Sequence, residues 1–178
     1  MTKTQYYVAS SIDGFIADPD DQLDWLLQFG FEAFQEEYDA FIAQTGAMIM
    51  GARTYEFILG EGLDNWSYDD TPCWVFTRKQ LPDIPGANVT FTTQDVETVH
   101  AAAVTAAQGK NVWLVGGGAV AAQFADRGLV DELILTIMPI VLGSGKRLLP
   151  LSAATPPLER LSLKQFDMGA IEVVYRMR

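Results

Sequence analysis

Three consecutive glycines, Gly116 to Gly118, separate an apolar segment from a helical pattern. The segment 112–115 is short and apolar, which predicts a buried strand, and residues 119–122 predict the first turn of a helix. Glycines at the end of a strand let a ligand approach the backbone closely, because no Cβ is in the way. The helix directs its free N–H groups and the positive end of its dipole toward the same gap. This arrangement favours binding of a phosphate or pyrophosphate, although a strand-to-helix turn without a ligand would have the same pattern.

Two further strand ends carry residues that suit an anion. Gly51 ends a short buried strand and is followed by Arg53 and Thr54, while Thr77 and Arg78 end a second strand. If these strands are parallel, their carboxyl ends lie on one edge of the sheet, where α/β proteins bind ligands. Each cation by itself is more often a surface residue than a phosphate ligand. Three such strand ends together favour a phosphorylated nucleotide.

Motifs for other kinds of site are incomplete. Residues 116–121 fit the spacing G-x-G-x-x-A, but no acidic residue closes a strand about 20 positions later, so a Rossmann site is not supported. Residues 143–146 lack the flanking positions of a Walker motif, and the aspartates at 18, 20 and 21 lack EF-hand spacing. His100 is the single histidine and is expected on the surface, without a paired acid or a nucleophile motif. We therefore predict no metal site and no histidine-dependent hydrolase.

Composition limits the class of protein and its partners. A chain of 178 residues with 49% hydrophobic and 20% charged residues suits a single domain, 1–178. Its formal net charge of −11 argues against nucleic acid or an anionic membrane surface as a partner. The lone Cys73 lies in an apolar run and is expected to be buried and inert. Since no signal peptide or membrane-spanning run is seen, we expect a cytoplasmic protein that binds a small molecule.

The elements that must position these residues alternate between strand and helix until about residue 130, and strands dominate afterwards. This order predicts an α/β fold with a mostly parallel sheet and antiparallel edge strands. Asp95 is a plausible N-cap, Gly128 a helix stop, and 64–71 a loop. Strands are predicted at 6–10, 47–50, 73–77, 89–92, 112–115, 132–142, 158–168 and 171–177, and helices at 31–42, 54–59, 96–107 and after Gly118.

Four motifs, in this order, resemble those of a known family. They are Val8-Ala-Ser-Ser-Ile-Asp-Gly14, Met50-Gly-Ala-Arg-Thr-Tyr-Glu56, Val115-Gly-Gly-Gly-Ala-Val-x-x-Gln-Phe124, and Leu129-Val-Asp-Glu-Leu133 followed by Pro139-Ile-Val-Leu-Gly143. Together they resemble the RibD C-terminal domain family, the relatives of riboflavin-biosynthesis reductases. The resemblance runs from about residue 4 to the C-terminus. It implies a three-layer dihydrofolate reductase-like α/β fold, with a mostly parallel central sheet and antiparallel C-terminal strands.

The same resemblance implies an NADPH-dependent oxidoreductase that acts on a small, heterocyclic substrate similar to a pteridine or a pyrimidine. It places Ala9 and Ile16 at the nicotinamide, phosphate groups at Gly51, Arg53 and Thr54, and the adenosine 2′-phosphate at Thr77 and Arg78. The pyrophosphate would lie against the glycine turn, that is, Val115, Gly116, Gly117, Gly118, Ala119 and Val120. The family also implies a homodimer paired through the C-terminal half of the sheet, where 133–142 is nearly continuous in hydrophobic residues.

The chain departs from its relatives at the substrate positions. Val115 stands where riboflavin-pathway reductases carry a glutamate, and Ile42 lies near the place of their arginine. The helix that carries an acid in dihydrofolate reductase offers Gln35 here, with Glu36 toward solvent. Two alternatives therefore stay open: a 5-amino-6-(5-phosphoribosylamino)uracil reductase of riboflavin biosynthesis, and a non-catalytic nucleotide-binding dimeric domain.

Overall fold

An eight-stranded sheet in the order β5-β4-β3-β6-β1-β7-β10-β9 forms the centre of the molecule, a computed structural model that describes residues 1–60, 66–68 and 70–178. The first six strands in that order are parallel, and β10 and β9 run antiparallel at one edge. This is the predicted mostly parallel sheet with antiparallel C-terminal strands. The strands are β1 Thr4–Ser10, β2 Phe15–Ala17, β3 Thr45–Gly51, β4 Cys73–Phe76, β5 Val89–Thr92, β6 Asn111–Gly116, β7 Glu132–Ile137, β8 Lys146–Arg147, β9 Glu159–Gln165 and β10 Ile171–Arg176. A separate two-stranded ribbon pairs β2 with β8.

Helices cover both faces of the sheet and make the fold three-layered. They are α1 Asp24–Leu27, α2 Gln35–Ala43, α3 Ala52–Gly60, α4 Val96–Ala106 and α5 Gly118–Ala125. On one face, α4 and α5 bury Val99 and Phe124 against Leu114 of the sheet. On the other face, α2 and α3 pack over Met48 and Trp113, with Tyr55 of α3 fully buried.

Several local predictions are confirmed. The Asp95 carboxylate accepts a hydrogen bond from the Thr98 amide at 2.8 Å and caps α4. Gly128 has φ +64°, the left-handed conformation with which helices commonly end. The two strands predicted at 158–168 and 171–177 are present as β9 and β10, which pair as an antiparallel hairpin. Of the loop predicted at 64–71, residues 64, 65 and 69 lie outside the described part of the chain.

Two boundaries differ from prediction by more than three residues. The strand predicted at 132–142 ends at Ile137, because Pro139 cannot donate to the ladder and the chain turns away to bond elsewhere. The helix predicted from Phe31 begins at Gln35, since Glu32–Phe34 form a 3-10 turn that breaks the helical phase. Phe31 is consequently 58% exposed instead of lying on a buried face.

Candidate active site

The turns that follow β3 and β6 lie directly against each other. A Cβ built on Gly51 would lie 3.1 Å from Val120 Cγ2, and one built on Gly116 would lie 3.1 Å from Thr54 Oγ1. Both positions are buried, so neither glycine can gain a side chain without displacing its neighbour. The predicted phosphate-binding glycines Gly51 and Gly116 therefore meet at one edge of the sheet, together with Thr54 and Val120.

Gly117 lies at the N-terminus of α5, where φ is +76° and ψ is +103°. The helix has no side-chain cap, and its Val120 and Ala121 amides both donate to the Gly117 carbonyl oxygen, at 2.9 and 3.0 Å. By helix geometry, the amides of Gly118 and Ala119 have no acceptor within α5. The positive φ explains the glycine at 117, and the free amides direct their donors toward the ends of the parallel strands.

Gly118 is small for a different reason. A Cβ at this position would overlap the Arg147 carbonyl oxygen and lie 2.6 Å from the Leu148 carbonyl oxygen. This segment is held in place, because the Leu148 amide donates to the Gly14 oxygen at 2.9 Å and the Tyr6 hydroxyl donates to the Leu148 oxygen at 3.0 Å. Gly118 therefore lacks a side chain because the chain itself occupies the space.

Cations gather where α3 and β4 approach each other. Glu56 of α3 joins two of them, because it accepts from Lys79 Nζ at 2.8 Å and from Arg53 Nη1 at 3.2 Å. The hydrogen bond from Lys79, and then the charges of Lys79 and Arg53, lower the pKa of Glu56. Arg53 also lies 3.7 Å from a carboxylate oxygen of Asp21. Arg78 is exposed and has no ion pair or hydrogen bond within the described residues.

The remaining predicted site residues flank these turns. Thr77 receives the Lys79 amide on its hydroxyl oxygen at 3.0 Å, and Ala119 is exposed at the start of α5. Val115 is half-buried and packs with the cluster beneath α3, whereas Ala9 packs in a different cluster with Trp25 and Met138. Ile16 lies in β2, whose partner strand β8 contacts Gly118. The structure therefore brings Gly51, Thr54, Gly116 and Val120 together. Thr77 and Arg78 follow the neighbouring strand β4, whereas Ala9 packs in the Trp25 cluster and Ile16 lies in the β2–β8 ribbon.

The Ser-Ile-Asp-Gly and Pro-Ile-Val-Leu-Gly motifs meet through one carboxylate. Asp13 accepts from Ser11 Oγ at 2.7 Å and from the amides of Leu142 and Gly143 at 3.0 and 2.7 Å. The Ser11 hydrogen bond, followed by that from Leu142, lowers the pKa of Asp13. Residues 142 and 143 leave the sheet to make these bonds, and Asp13 thereby ties the loop after β1 to the loop after β7. We identified both motifs in the sequence, but their pairing needed the fold.

A polar group that the sequence reasoning missed lies beside Ala9. Thr136 Oγ1 donates to Glu172 Oε2 at 3.3 Å, and the nearby Tyr7 side chain interacts with both. Burial, and then the Glu172 carboxylate, raises the pKa of Tyr7 well above its ordinary value. Hydrophobic periodicity in the sequence does not identify these residues as partners, because each lies on a different strand and the local pattern predicts only that strand.

His100 is not the surface residue that we expected. It is half-buried and exchanges a 2.8 Å hydrogen bond with Thr4 Oγ1, because α4 packs against the beginning of β1. Burial, and then the charge of Arg178, lowers the pKa of His100. Since Thr4 is the first residue of a parallel strand, His100 lies near the sheet edge opposite the glycine turns.

The described part of the chain contains neither a metal-binding cluster nor a helix that could span a membrane. No group of three or more His, Cys, Asp or Glu side chains is arranged to hold a metal ion. None of the helices combines the length and apolar character that a membrane span requires.

Comparison with known proteins places this geometry in a family. The model of the RibD C-terminal domain matches residues 2–171. The uncharacterized protein YwjB of Bacillus subtilis (strain 168) is 33% identical over 174 residues, which cover 97% of both chains.

Solved structures share the fold at lower identity. A protein of Shewanella sp. PV-4, provisionally named a riboflavin biosynthesis protein, superposes with a TM-score of 0.81 at 21% identity and covers 99% of each chain. Dihydrofolate reductase from Enterococcus faecalis, solved with NADP(H), superposes with a TM-score of 0.68 at 16% identity and covers 98% of this chain and 95% of that one. The fold is therefore that of dihydrofolate reductase, and the chain belongs to the RibD C-terminal domain family.

Proposed function

We propose that this protein is an NADPH-dependent reductase of a small heterocyclic substrate similar to a pteridine or a pyrimidine. The observation that carries the proposal is the meeting of the two glycine turns, in which Gly51 and Gly116 pack closely and Gly117 leaves its backbone open beside the free amides of α5. A cofactor diphosphate suits this cradle, because the space that a Cβ at Gly117 would fill is left open. When bound, NADPH supplies a hydride from its nicotinamide ring.

The protein's own residues would bind and orient the cofactor. The amides of Gly118 and Ala119 donate to the diphosphate, and Thr54 adds a hydroxyl at the same turn. Ala9 and Ile16 are our candidates for the nicotinamide end, where a small residue on β1 leaves room for a flat ring. Arg78, exposed and unpaired within the described residues, is our candidate ligand for the adenosine 2′-phosphate.

A matched pair of glycine variants tests the cradle. Gly117 and Gly86 have φ values of +76° and +81°, and a Cβ on either has no neighbour closer than 3.8 Å. Alanine at either position should cost about 1 kcal/mol of stability, because the backbone is left-handed. Only Gly117→Ala should also weaken NADPH in isothermal titration, by about tenfold or more, through crowding of the diphosphate. If the two variants bind NADPH as the wild type does, the cofactor site lies elsewhere.

Turnover decides between an enzyme and a binding domain. Wild-type protein with NADPH is assayed against dihydropteridines and 5-amino-6-(5-phosphoribosylamino)uracil by the loss of absorbance at the wavelength of the reduced nicotinamide. Oxidation of NADPH in the presence of 5-amino-6-(5-phosphoribosylamino)uracil would establish that the protein is the riboflavin-pathway reductase. Tight NADPH binding without reduction of any of these compounds would support the non-catalytic alternative.

We also propose a homodimer paired through the antiparallel end of the sheet. The apolar run that suggested a dimer in the sequence, 133–142, does not supply the interface through β7, because this strand is already covered by the protein itself. Its Leu133, Ile134 and Leu135 are each at most 9% exposed. Exposed apolar side chains lie on the edge hairpin instead, where Leu163 is 49% and Ile171 38% exposed. Leu163→Lys should lower the sedimentation coefficient at micromolar concentration from that of a dimer to that of a monomer. A wild-type protein that sediments as a monomer would refute the proposal.

A further inference from the structure

Three polar side chains form a row across adjacent strands at the ligand-binding edge of the sheet. Tyr7 belongs to β1, Thr136 to β7 and Glu172 to β10, and the three interact through the Thr136–Glu172 hydrogen bond of 3.3 Å and the contacts of Tyr7 with both. Thr136 is 5% exposed, whereas Tyr7 and Glu172 are half-buried. The carboxylate is thus anchored from inside the protein and still reaches solvent.

The strand register places this row beside the residue that we assign to the nicotinamide end. Ala9 pairs with Thr136, and Thr136 pairs with Glu172. Neighbouring strands lie about 4.8 Å apart, so Ala9 and Glu172 are separated by about 10 Å across the sheet. Ala9 follows Tyr7 by two residues, and its side chain therefore lies on the same face. The row therefore lies on the face of the sheet that carries Ala9, with Glu172 about the width of one heterocycle from it.

Within the described residues, Glu172 has neutral partners and no cationic one. Lys164 is its register neighbour on β9, but its ammonium group forms an ion pair with Glu37 of α2 and lies 5.1 Å from the centroid of the Phe166 ring. Thr136 and Tyr7 contact the Glu172 carboxylate through hydroxyl groups, and the raised pKa of Tyr7 keeps its hydroxyl neutral. Since a carboxylate offers about four acceptor positions, the two hydroxyls leave acceptor capacity for a ligand.

The acids of the neighbouring helix do not compete for this role. Glu36 is exposed, as expected from helical geometry, and Gln35 donates to Asp39 on the same helix at 2.7 Å. Glu37 faces inward, but its charge is matched by Lys164. Among the described residues of this face, Glu172 is therefore the half-buried carboxylate near Ala9 without a cationic partner.

We propose that Glu172 binds the N–H edge of an amino-substituted nitrogen heterocycle, with Thr136 and Tyr7 as positioning residues that orient its carboxylate. A ring N–H beside an exocyclic amino group presents two parallel donors, which match the two oxygens of a carboxylate as a guanidinium does. The inference rests on the proposed reductase function and specifies its substrate class. Rings with an amidine-like edge bind, whereas rings that offer acceptors alone do not.

Binding of 2,4-diaminopyrimidine, titrated at a pH at which its ring nitrogen is protonated and so presents both donors, is compared with that of unsubstituted pyrimidine and tests the inference without turnover. Isothermal titration with the NADPH-loaded protein should detect the diamino compound and give a much weaker signal, or none, for pyrimidine. Glu172→Gln keeps the size of the side chain but loses the charge, and it should weaken the diamino compound by about ten- to a hundredfold. Thr136→Val should weaken it less, because the carboxylate remains but loses a donor that orients it.

Controls separate this inference from the proposed function. Glu159→Gln removes an exposed carboxylate paired with Arg176 on the same edge hairpin, and it should leave binding of the diamino compound unchanged. NADPH affinity and melting temperature should be the same in Glu172→Gln as in the wild type. The inference alone is overturned if the wild type binds NADPH but does not bind the diamino compound. It is also overturned if the wild type binds that compound no more tightly than Glu172→Gln does. The proposed function is overturned if the wild type does not bind NADPH. In that case the assignment of Glu172 is still supported if the apoprotein binds the diamino compound and Glu172→Gln weakens that binding.

Discussion

Arg78→Ala should separate the two nicotinamide cofactors. Arg78 follows β4, is exposed, and has no acidic partner among the described residues, whereas its neighbours Lys79 and Arg53 share Glu56. A guanidinium that is not engaged by the protein is available to a ligand phosphate. NADPH and NADH differ in the 2′-phosphate, so removal of Arg78 should weaken NADPH and leave NADH nearly unchanged.

The size of the effect follows from exposure and pairing. Hydrogen bonds to charged groups contribute about 1.5–3 kcal/mol, and solvent at an exposed strand end favours the lower part of that range, roughly a tenfold loss of NADPH affinity. The Arg53 side chain is 67% exposed and already interacts with Glu56 and Asp21, so Arg53→Ala should lower NADPH affinity less than Arg78→Ala does. Because Arg53 is assigned to phosphates that both cofactors carry, its loss should affect NADPH and NADH by the same factor.

Isothermal titration with both cofactors at low and physiological salt measures these differences. Arg160→Ala removes an exposed arginine from the edge strand β9 and serves as the matched control, with no expected change in either affinity. The Arg78 effect should shrink as salt is added, because exposed charges are screened. Equal losses of NADPH and NADH in Arg78→Ala would remove Arg78 from the 2′-phosphate site.

Three further predictions concern stability and reactivity. Gly118→Ala should lower stability by about 1–3 kcal/mol in thermal unfolding, because its Cβ would overlap backbone carbonyls at 147 and 148, and an unchanged melting temperature would contradict this packing. Cys73 is 1% exposed and burial raises the pKa of its thiol to about 12, so a disulfide reagent should modify it in the unfolded protein and not in the native one. Burial lowers the pKa of His100 below its unfolded value, so the unfolded state binds more protons and the free energy of unfolding should decrease as pH falls below about 6.5. His100→Gln should reduce that dependence in denaturant titrations across pH 4–8.

The order of elements was predictable because each one has a local signal. The apolar run before Gly116, the N-cap at Asp95 and the glycine at 128 each encode their own structure within a few residues. The end of β7 was not predictable in this way. Hydrophobicity continues to Leu142, whereas the chain leaves the sheet because Pro139 lacks an amide hydrogen and Asp13 binds the later amides.

Part of the candidate site could also be predicted, namely the part made of strand ends. Parallel strands bring their carboxyl ends to one edge, so Gly51 and Gly116 could be expected together once the strands were recognised. The reason for Gly118 could not be found, since the carbonyl groups that exclude its side chain belong to residues 147 and 148. Glu172 and Thr136 are 36 positions apart, and nothing in either local sequence marks them as partners.

The two ends of the proposed site carry opposite charges, and this asymmetry has a physical consequence for an acidic protein. Around α3 and the end of β4, Arg53 and Lys79 share the carboxylate of Glu56, Arg53 also approaches Asp21, and Arg78 has no acidic partner among the described residues. The chain as a whole has a formal charge of −11, so its overall field opposes a dinucleotide phosphate and the local cations must overcome it. At the other end, Glu172 accepts a hydrogen bond from Thr136, and in our proposal its carboxylate receives the N–H donors of the substrate. Cofactor and substrate are therefore favoured in one arrangement, with the cofactor phosphates at the first end and the N–H donors of the substrate at the second. The reversed arrangement would bring a phosphate close to Glu172. Orientation in this site is therefore a property of the charges on the sheet edge, while the glycine turns determine how closely the backbone can approach.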